Sequence, residues 1–231
     1  MKKFLVVISL ALLPSSAFAI LGFGIQVGQD LAKLESYSYT DGEGLAAVTV
    51  NSYEMESNPR SLGAYAFVDL FGYALEAEAD FAAGLYEFEF GNEIATLGPI
   101  EFGWARVSYA FTAKKNIMDI SVPFLAKAAL NAGAGYGGHA ATPRANVDMV
   151  KVLLGDDLTN VNAIDSDLEK KLGDYLIDEA ITSDGFHLQG GIRFKVLMLD
   201  THLNLRYNMA KNIYDGSNGF AQLMFKTGFA F

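Results

Sequence analysis

Over its last thirteen residues, GFAQLMFKTGFAF, the chain alternates between two kinds of side chain with a period of two. Phe231, Phe229, Thr227, Phe225, Leu223 and Ala221 share one face, and Ala230, Gly228, Lys226, Met224 and Gln222 the other. Successive residues of a β-strand point to opposite faces, so this segment reads as a strand lying between two different solvents. The same period recurs. In LGFGIQVGQDLA, Leu21, Phe23, Ile25, Val27 and Leu31 oppose a glycine-rich face. In YALEAEADF, Tyr73, Leu75, Ala77, Ala79 and Phe81 oppose Glu76, Glu78 and Asp80. MDISVPFLAKAALN, FHLQGGIRFKV and THLNLRYNM repeat the pattern, each long enough for a tilted crossing of about 9 to 11 residues.

Alternation alone does not say which solvent lies on which side. The amino end, MKKFLVVISLALLPSSAFA, has Lys2 and Lys3 before an apolar run, a break at Pro14 and small residues at Ala17 and Ala19. It reads as a secretory signal peptide over 1–19, leaving 20–231 as one domain. Its loss takes the formal charge from -10 to -12, which gives a nucleic-acid partner no electrostatic support. With no cysteine there is no disulfide scaffold, thiolate zinc site or lipidated cysteine. The mature part also has no 18-residue uncharged apolar run, so no helix is expected to span a membrane. A soluble periplasmic all-β domain and a membrane barrel remain. Three features favour the barrel: small residues on the polar faces, connections that alternate in length, and the terminal aromatic.

Crossings are expected near 20–32, 61–70, 73–83, 101–112, 116–132, 185–197, 201–211 and 219–231. The tight turns are then Phe71–Gly72, AKKN (113–116) and LMLD (197–200), and all longer connections fall at the other end. FGWARVSYAF and SLGAYAFVDLF carry large apolar groups on both faces. Arg106 facing lipid would cost about 2 to 4 kcal/mol, so it is turned inward with Trp104 and Phe102; Asp69 goes inward with Tyr65 and Phe67. The segments 44–53 and 85–91 could be two further strands, widening the ring to ten or twelve, or extensions above the membrane.

In this architecture the chain resembles the small eight-stranded outer-membrane barrels of the OmpA/OmpX type. The resemblance implies an all-β antiparallel transmembrane barrel in the outer membrane of a Gram-negative-type bacterium, with both termini periplasmic and a partly helical long outer loop. It also implies lipid and lipopolysaccharide as surroundings, and a last strand, with Leu223, Phe225, Phe229 and Phe231, that is read by the barrel-assembly machinery. Thr227 departs mildly from that pattern.

The inward faces collect Asp30, Asp69, Glu76, Glu78, Asp80 and Asp119 against Arg106, Lys127, Arg193, Lys195, Arg206 and Lys226. Buried charges persist when paired, so this balance predicts a polar plug. Motifs that mimic other chemistry are discounted. GAGYGG has a dinucleotide-type spacing but is broken by Pro143, and reads as the base of an outer loop. DSDLE has calcium-loop carboxylates, but Lys170 stands where glycine is needed. Ser166 and Glu169 read instead as a capping box for a helix bearing Leu168, Leu172, Tyr175 and Leu176, with a shorter turn over 147–154. Ser183, Asp184 and His187 are close in sequence, which is not triad geometry. No catalytic, cofactor or metal site is expected. The favoured role is structural or surface-interacting, through acidic loops that include Asp148, Asp174 and Asp178. A narrow channel is the alternative, and a rim enzyme using His187 the third.

Overall fold

The computed structural model describes residues 21–44, 47–70, 73–92, 96–122, 125–154 and 168–231. The segment expected to be a signal peptide, the residues Phe71 and Gly72 expected to turn, Phe124 and the loop residues from Asp156 to Asp167 lie outside the described residues. The chain forms strands β1 (Leu21–Asp30), β2 (Tyr37–Asp41), β3 (Val48–Ser52), β4 (Arg60–Leu70), β5 (Tyr73–Gly91), β6 (Thr96–Val122) and β7 (Ala126–Ala141). Helices α1 (Val147–Leu154) and α2 (Leu168–Asp178) follow, then β8 (Ile181–Val196), β9 (Leu199–Asn208) and β10 (Phe220–Ala230).

The strands form a single antiparallel sheet in the order β2-β3-β5-β4-β1-β10-β9-β8-β7-β6, and a β5–β6 pairing joins it into a ring. Eight strands therefore make a closed barrel, and β2 and β3 extend the outer part of β5 as a side sheet. Register fixes the shape of the ring. Starting at Leu21, the partners run Val68, Leu75, Ala113, Ala134, Leu188, Tyr207 and Ala221. Ala221 then bonds Leu31, so one circuit returns ten residues further along β1. With ordinary strand spacings, that stagger tilts the strands by about 40°, leaving an interior that side chains can fill.

One end of the ring carries Leu21, Phe231 and the short connections. Leu21 and Phe231 exchange backbone hydrogen bonds of 3.3 and 2.8 Å there, and β8 turns into β9 through Leu197 and Met198. The longer connections lie at the opposite end, called outer below.

Outward positions through the ring are apolar and exposed, among them Phe23, Ile25, Leu62, Leu75, Phe81, Phe111, Leu188, Leu205 and Phe225. From Phe186 to Val196 the belt spans about 25 Å along the axis, the height of a bilayer's apolar layer. This is the architecture of a transmembrane barrel. Tyr109, Tyr136, Phe186 and Tyr207 line the belt toward its outer edge, with the Tyr136 and Phe186 rings 5.4 Å apart. Lys115 lies 5.5 Å over Tyr73 at the opposite edge.

Eight crossings are present, but one expected boundary is wrong. β6 runs without a turn through the AKKN segment, so 116–132 is not one strand: 116–122 end β6 and Ala126 opens β7. The two lysines suggested a turn, yet they keep the alternation, Lys114 buried and Lys115 exposed. Pro123 was the better signal, because an interior strand cannot spare the N–H that proline lacks. In consequence GAGYGG is not the base of a loop but lies within β7, where inward glycines make room for neighbours. A Cβ at Gly135 would sit 2.6 Å from the His187 ring. Residues 85–91 continue β5, while 48–52 form β3 in the side sheet, so neither adds a crossing.

Candidate functional site

The interior charges gather in three levels between the short-turn end and the outer end. Nearest the short turns, Arg193 grips Asp200 with contacts of 2.6 to 3.0 Å and reaches Asp69 at 3.3 Å. Its guanidinium lies 4.7 Å over the Phe67 ring. His202 is buried beside Asp200 at 3.4 Å. Lys127 pairs with Asp119 at 3.7 Å, where the Asp119 side chain is 42% exposed at the mouth and not enclosed. Lys195 faces inward at the same mouth, half-buried.

At mid-height, Lys226 is fully buried and bridges Glu76, at 2.9 Å, and Glu78. Lys114 binds the second oxygen of Glu76 at 2.6 Å. Arg206 pairs with Glu78 and donates to Gln189 at 3.0 Å from Nε. In the outer level, Arg106 donates from Nε and Nη2 to the two oxygens of Asp30, 3.0 Å each, and from Nη1 to Asp80 at 3.1 Å. Gln222 donates to Asp80 at 3.2 Å, and the Tyr214 hydroxyl donates to Asp30. Several of these bonds cross the bore. Ring order puts β8 opposite β4 and β9 opposite β5, so Arg193–Asp69 and Arg206–Glu78 join facing walls.

Above Arg106 the filling changes from ionic to apolar. Tyr86, Phe88 and Trp104 point inward from β5 and β6 and are at most 3% exposed. Leu34, Val50 and Met55 from the β1–β4 connection meet them, with Val147, Met149 and Val150 around α1 and Ile213 and Tyr214 from the β9–β10 connection. Asn146 caps α1, accepting from Met149 N at 2.8 Å and from the Tyr175 hydroxyl of α2 at 2.9 Å. Arg144 pairs with Asp215 and lies 5.2 Å over Tyr37, tying three connections together. Lys151 joins α1 to β2 through Asp41 at 2.7 Å.

Lys114 and Asp200 are interior charges that sequence reasoning assigned to turns, and unbroken parity through 113–116 was the signal that marked Lys114. The histidines are interior too. His187 meets Thr112 at 2.9 Å and His139 meets Ser108 at 2.7 Å. Ser183 instead accepts the Lys211 amide and Asp184 is exposed, so the Ser183, Asp184 and His187 cluster does not assemble. Among the described residues, no three acidic or imidazole groups gather as a metal centre would need. Leu223, Phe225, Phe229 and Phe231 all face outward, 41 to 51% exposed.

No family model matches this sequence, and no curated protein matches it. In structure, the chain is similar to the attachment invasion locus protein Ail of Yersinia pestis, solved in complex with the heparin analogue sucrose octasulfate. They share 11% identity over 93% of this chain and 99% of that chain, with a TM-score of 0.45. It is also similar to Neisserial surface protein A, with 13% identity over 91% of this chain and 97% of that chain and a TM-score of 0.43. The architecture stated above rests on this chain's own strand pairing.

Proposed function

We propose that the chain is an outer-membrane protein of a Gram-negative-type bacterium, with both termini in the periplasm, whose barrel is a closed mount for a surface-interaction head. The observation that carries this reading is the set of ion pairs that reach from wall to wall, capped by an apolar core. A bore filled in this way leaves no continuous aqueous path, and the work then falls to the outer sheet, helices and connections. The belt would be wetted by lipid, with lipopolysaccharide around the outer rim. The four outward residues of the last strand would serve recognition by the barrel-assembly machinery. The reading is of a binding role and not of an enzyme.

Two measurements test it. Purified protein in planar bilayers should give no steady conductance, and a stable open level of porin size would defeat the closed mount. The native chain lacks cysteine, so single cysteines report sidedness cleanly. Asp148→Cys on α1 should be labelled by a membrane-impermeant maleimide on intact cells and Asp119→Cys should not. The reverse pattern would invert the orientation.

A further inference from the structure

The side sheet carries a cleft that a display role does not by itself explain. Cross-strand register sets Ser38 opposite Asn51 and Thr40 opposite Thr49, while Asn51 stands opposite Glu89 on β5. These side chains form a linked set. Ser38 donates to Asn51 Oδ1 at 2.6 Å, Asn51 Nδ2 donates to Glu89 Oε1 at 3.0 Å, and the Thr40 and Thr49 hydroxyls lie 2.8 Å apart. Tyr53 also hydrogen-bonds Glu89, which holds its phenol above the ordinary range. Beside them opens a cleft of about 350 Å³ lined by Thr40, Thr49, Asn51, Glu89, Phe90 and Asn92.

We infer that this cleft binds a neutral, hydroxyl-rich ligand of the saccharide class. The inference rests on the display reading and names what is displayed. The volume sits at the small end of the range for ligand pockets, about 300 to 1,000 Å³. The lining suits vicinal hydroxyls, each of which donates once and accepts twice. Ser38 and Glu89 fix which way the Asn51 amide points, so its oxygen and nitrogen are presented in a set order. The methyl groups of Thr40 and Thr49 offer apolar contact for a sugar's C–H face. Other ligand classes fit worse. Among the described residues no lysine or arginine lines the cleft, so an anion would meet Glu89 without a counter-charge. Among the described residues Glu89 is also the one lining carboxylate, too few for a divalent cation. An apolar ligand would strip water from the amide and carboxylate without replacing their bonds.

Saturation-transfer NMR on the full chain in detergent micelles tests the inference, using methyl glycosides of glucose, galactose, mannose and N-acetylglucosamine, with a sulfated disaccharide as the anionic control. At least one neutral glycoside should receive transfer. Its Kd should rise roughly tenfold in Asn51→Ala and in Glu89→Gln, the scale of one lost hydrogen bond at a charged or oriented group. Thr49→Val, which keeps the strand-favouring shape, should weaken it as well, and Lys211→Gln, beyond the end of β9, should leave it unchanged. Heat-modifiable mobility on a gel establishes that each variant is folded. Transfer from folded wild type to none of the four glycosides overturns the inference, as does transfer that survives the Asn51→Ala/Glu89→Gln double variant or is strongest for the sulfated control. Conductance on the same preparation separates the two readings. A closed barrel without transfer sinks the cleft alone, and a conducting barrel with transfer sinks the closed mount alone.

Discussion

The two halves of β5 use one alternation in opposite senses. In the lower half Leu75, Ala77, Ala79 and Phe81 face out while Glu76, Glu78 and Asp80 are buried. Past Leu85 the assignment reverses, with Tyr86 and Phe88 buried and Glu87 exposed. β6 makes the same reversal between Arg106 and Trp104, with Glu101 exposed beyond. The strand geometry is continuous, so what changes is the outer solvent. Where hydrocarbon lies outside, polar groups must find partners within; where water lies outside, the interior becomes an ordinary apolar core. The point of reversal, rather than the strand ends, marks the outer edge of the membrane.

The largest effect should come from the ionic half. Arg106→Leu leaves Asp30 and Asp80 buried without their cation, which should cost about 3 to 5 kcal/mol in denaturant unfolding from detergent or lipid. The triple variant Arg106→Leu/Asp30→Asn/Asp80→Asn should regain most of that loss. A single variant as stable as the triple one would mean that the charges are solvated and unpaired. Trp104→Ala, one inward position above, removes a side chain 1% exposed and should cost a comparable 3 to 5 kcal/mol, roughly, but within the cap. Protease sensitivity and amide exchange should rise in the outer connections and α1 while the ring strands keep their protection. Joint loss of both halves would show that they fold as one unit. On the outer wall, Leu205→Arg faces the belt and should cost about 2 to 4 kcal/mol, whereas Glu87→Arg, above the reversal, should leave unfolding in lipid unchanged. Equal costs at the two sites would erase the proposed edge.

Much of this was legible in the chain. Period-two patterning with one charge-free face located the strands, and the cost of a lipid-facing arginine set the parity of β6. The apolar Phe102 and Trp104 beside Arg106 looked like an impure strand, because a single assignment of faces was applied from end to end. They are consistent once the strand is allowed to pass from one solvent to another. YEFEF, with glutamates now on the outward face, carries the same message. What could not be read was which partner each charge takes. Pairing across the bore depends on the ten-residue stagger, which is a property of closure and of no local segment. The cleft is similarly remote from local reading, since Ser38, Asn51 and Glu89 are brought together only by register.

The smallest effect should be at the exposed pair on the outer head. The hydrogen bond from Lys151 holds the Asp41 carboxyl below its ordinary value of 3.8, and Asp41 in turn holds the Lys151 ammonium above 10.5. A depressed carboxylate contributes stability that is fully present above 3.8 and fades as pH falls through the lowered value. A raised ammonium contributes stability fully present below 10.5, which fades as pH climbs through the raised value. The link between α1 and β2 should therefore be constant across the neutral range and weaken at both extremes. Carbon-detected NMR of the Asp41 carboxyl should titrate below 3.8 in the native chain and return toward 3.8 in Lys151→Gln. Because both groups are in water, added salt should shrink that shift, while the cost of Arg106→Leu should hardly respond, its partners being shut away from counter-ions. Salt thus separates the two kinds of ion pair, and a strong salt response at Arg106 would show that water and ions reach the bore.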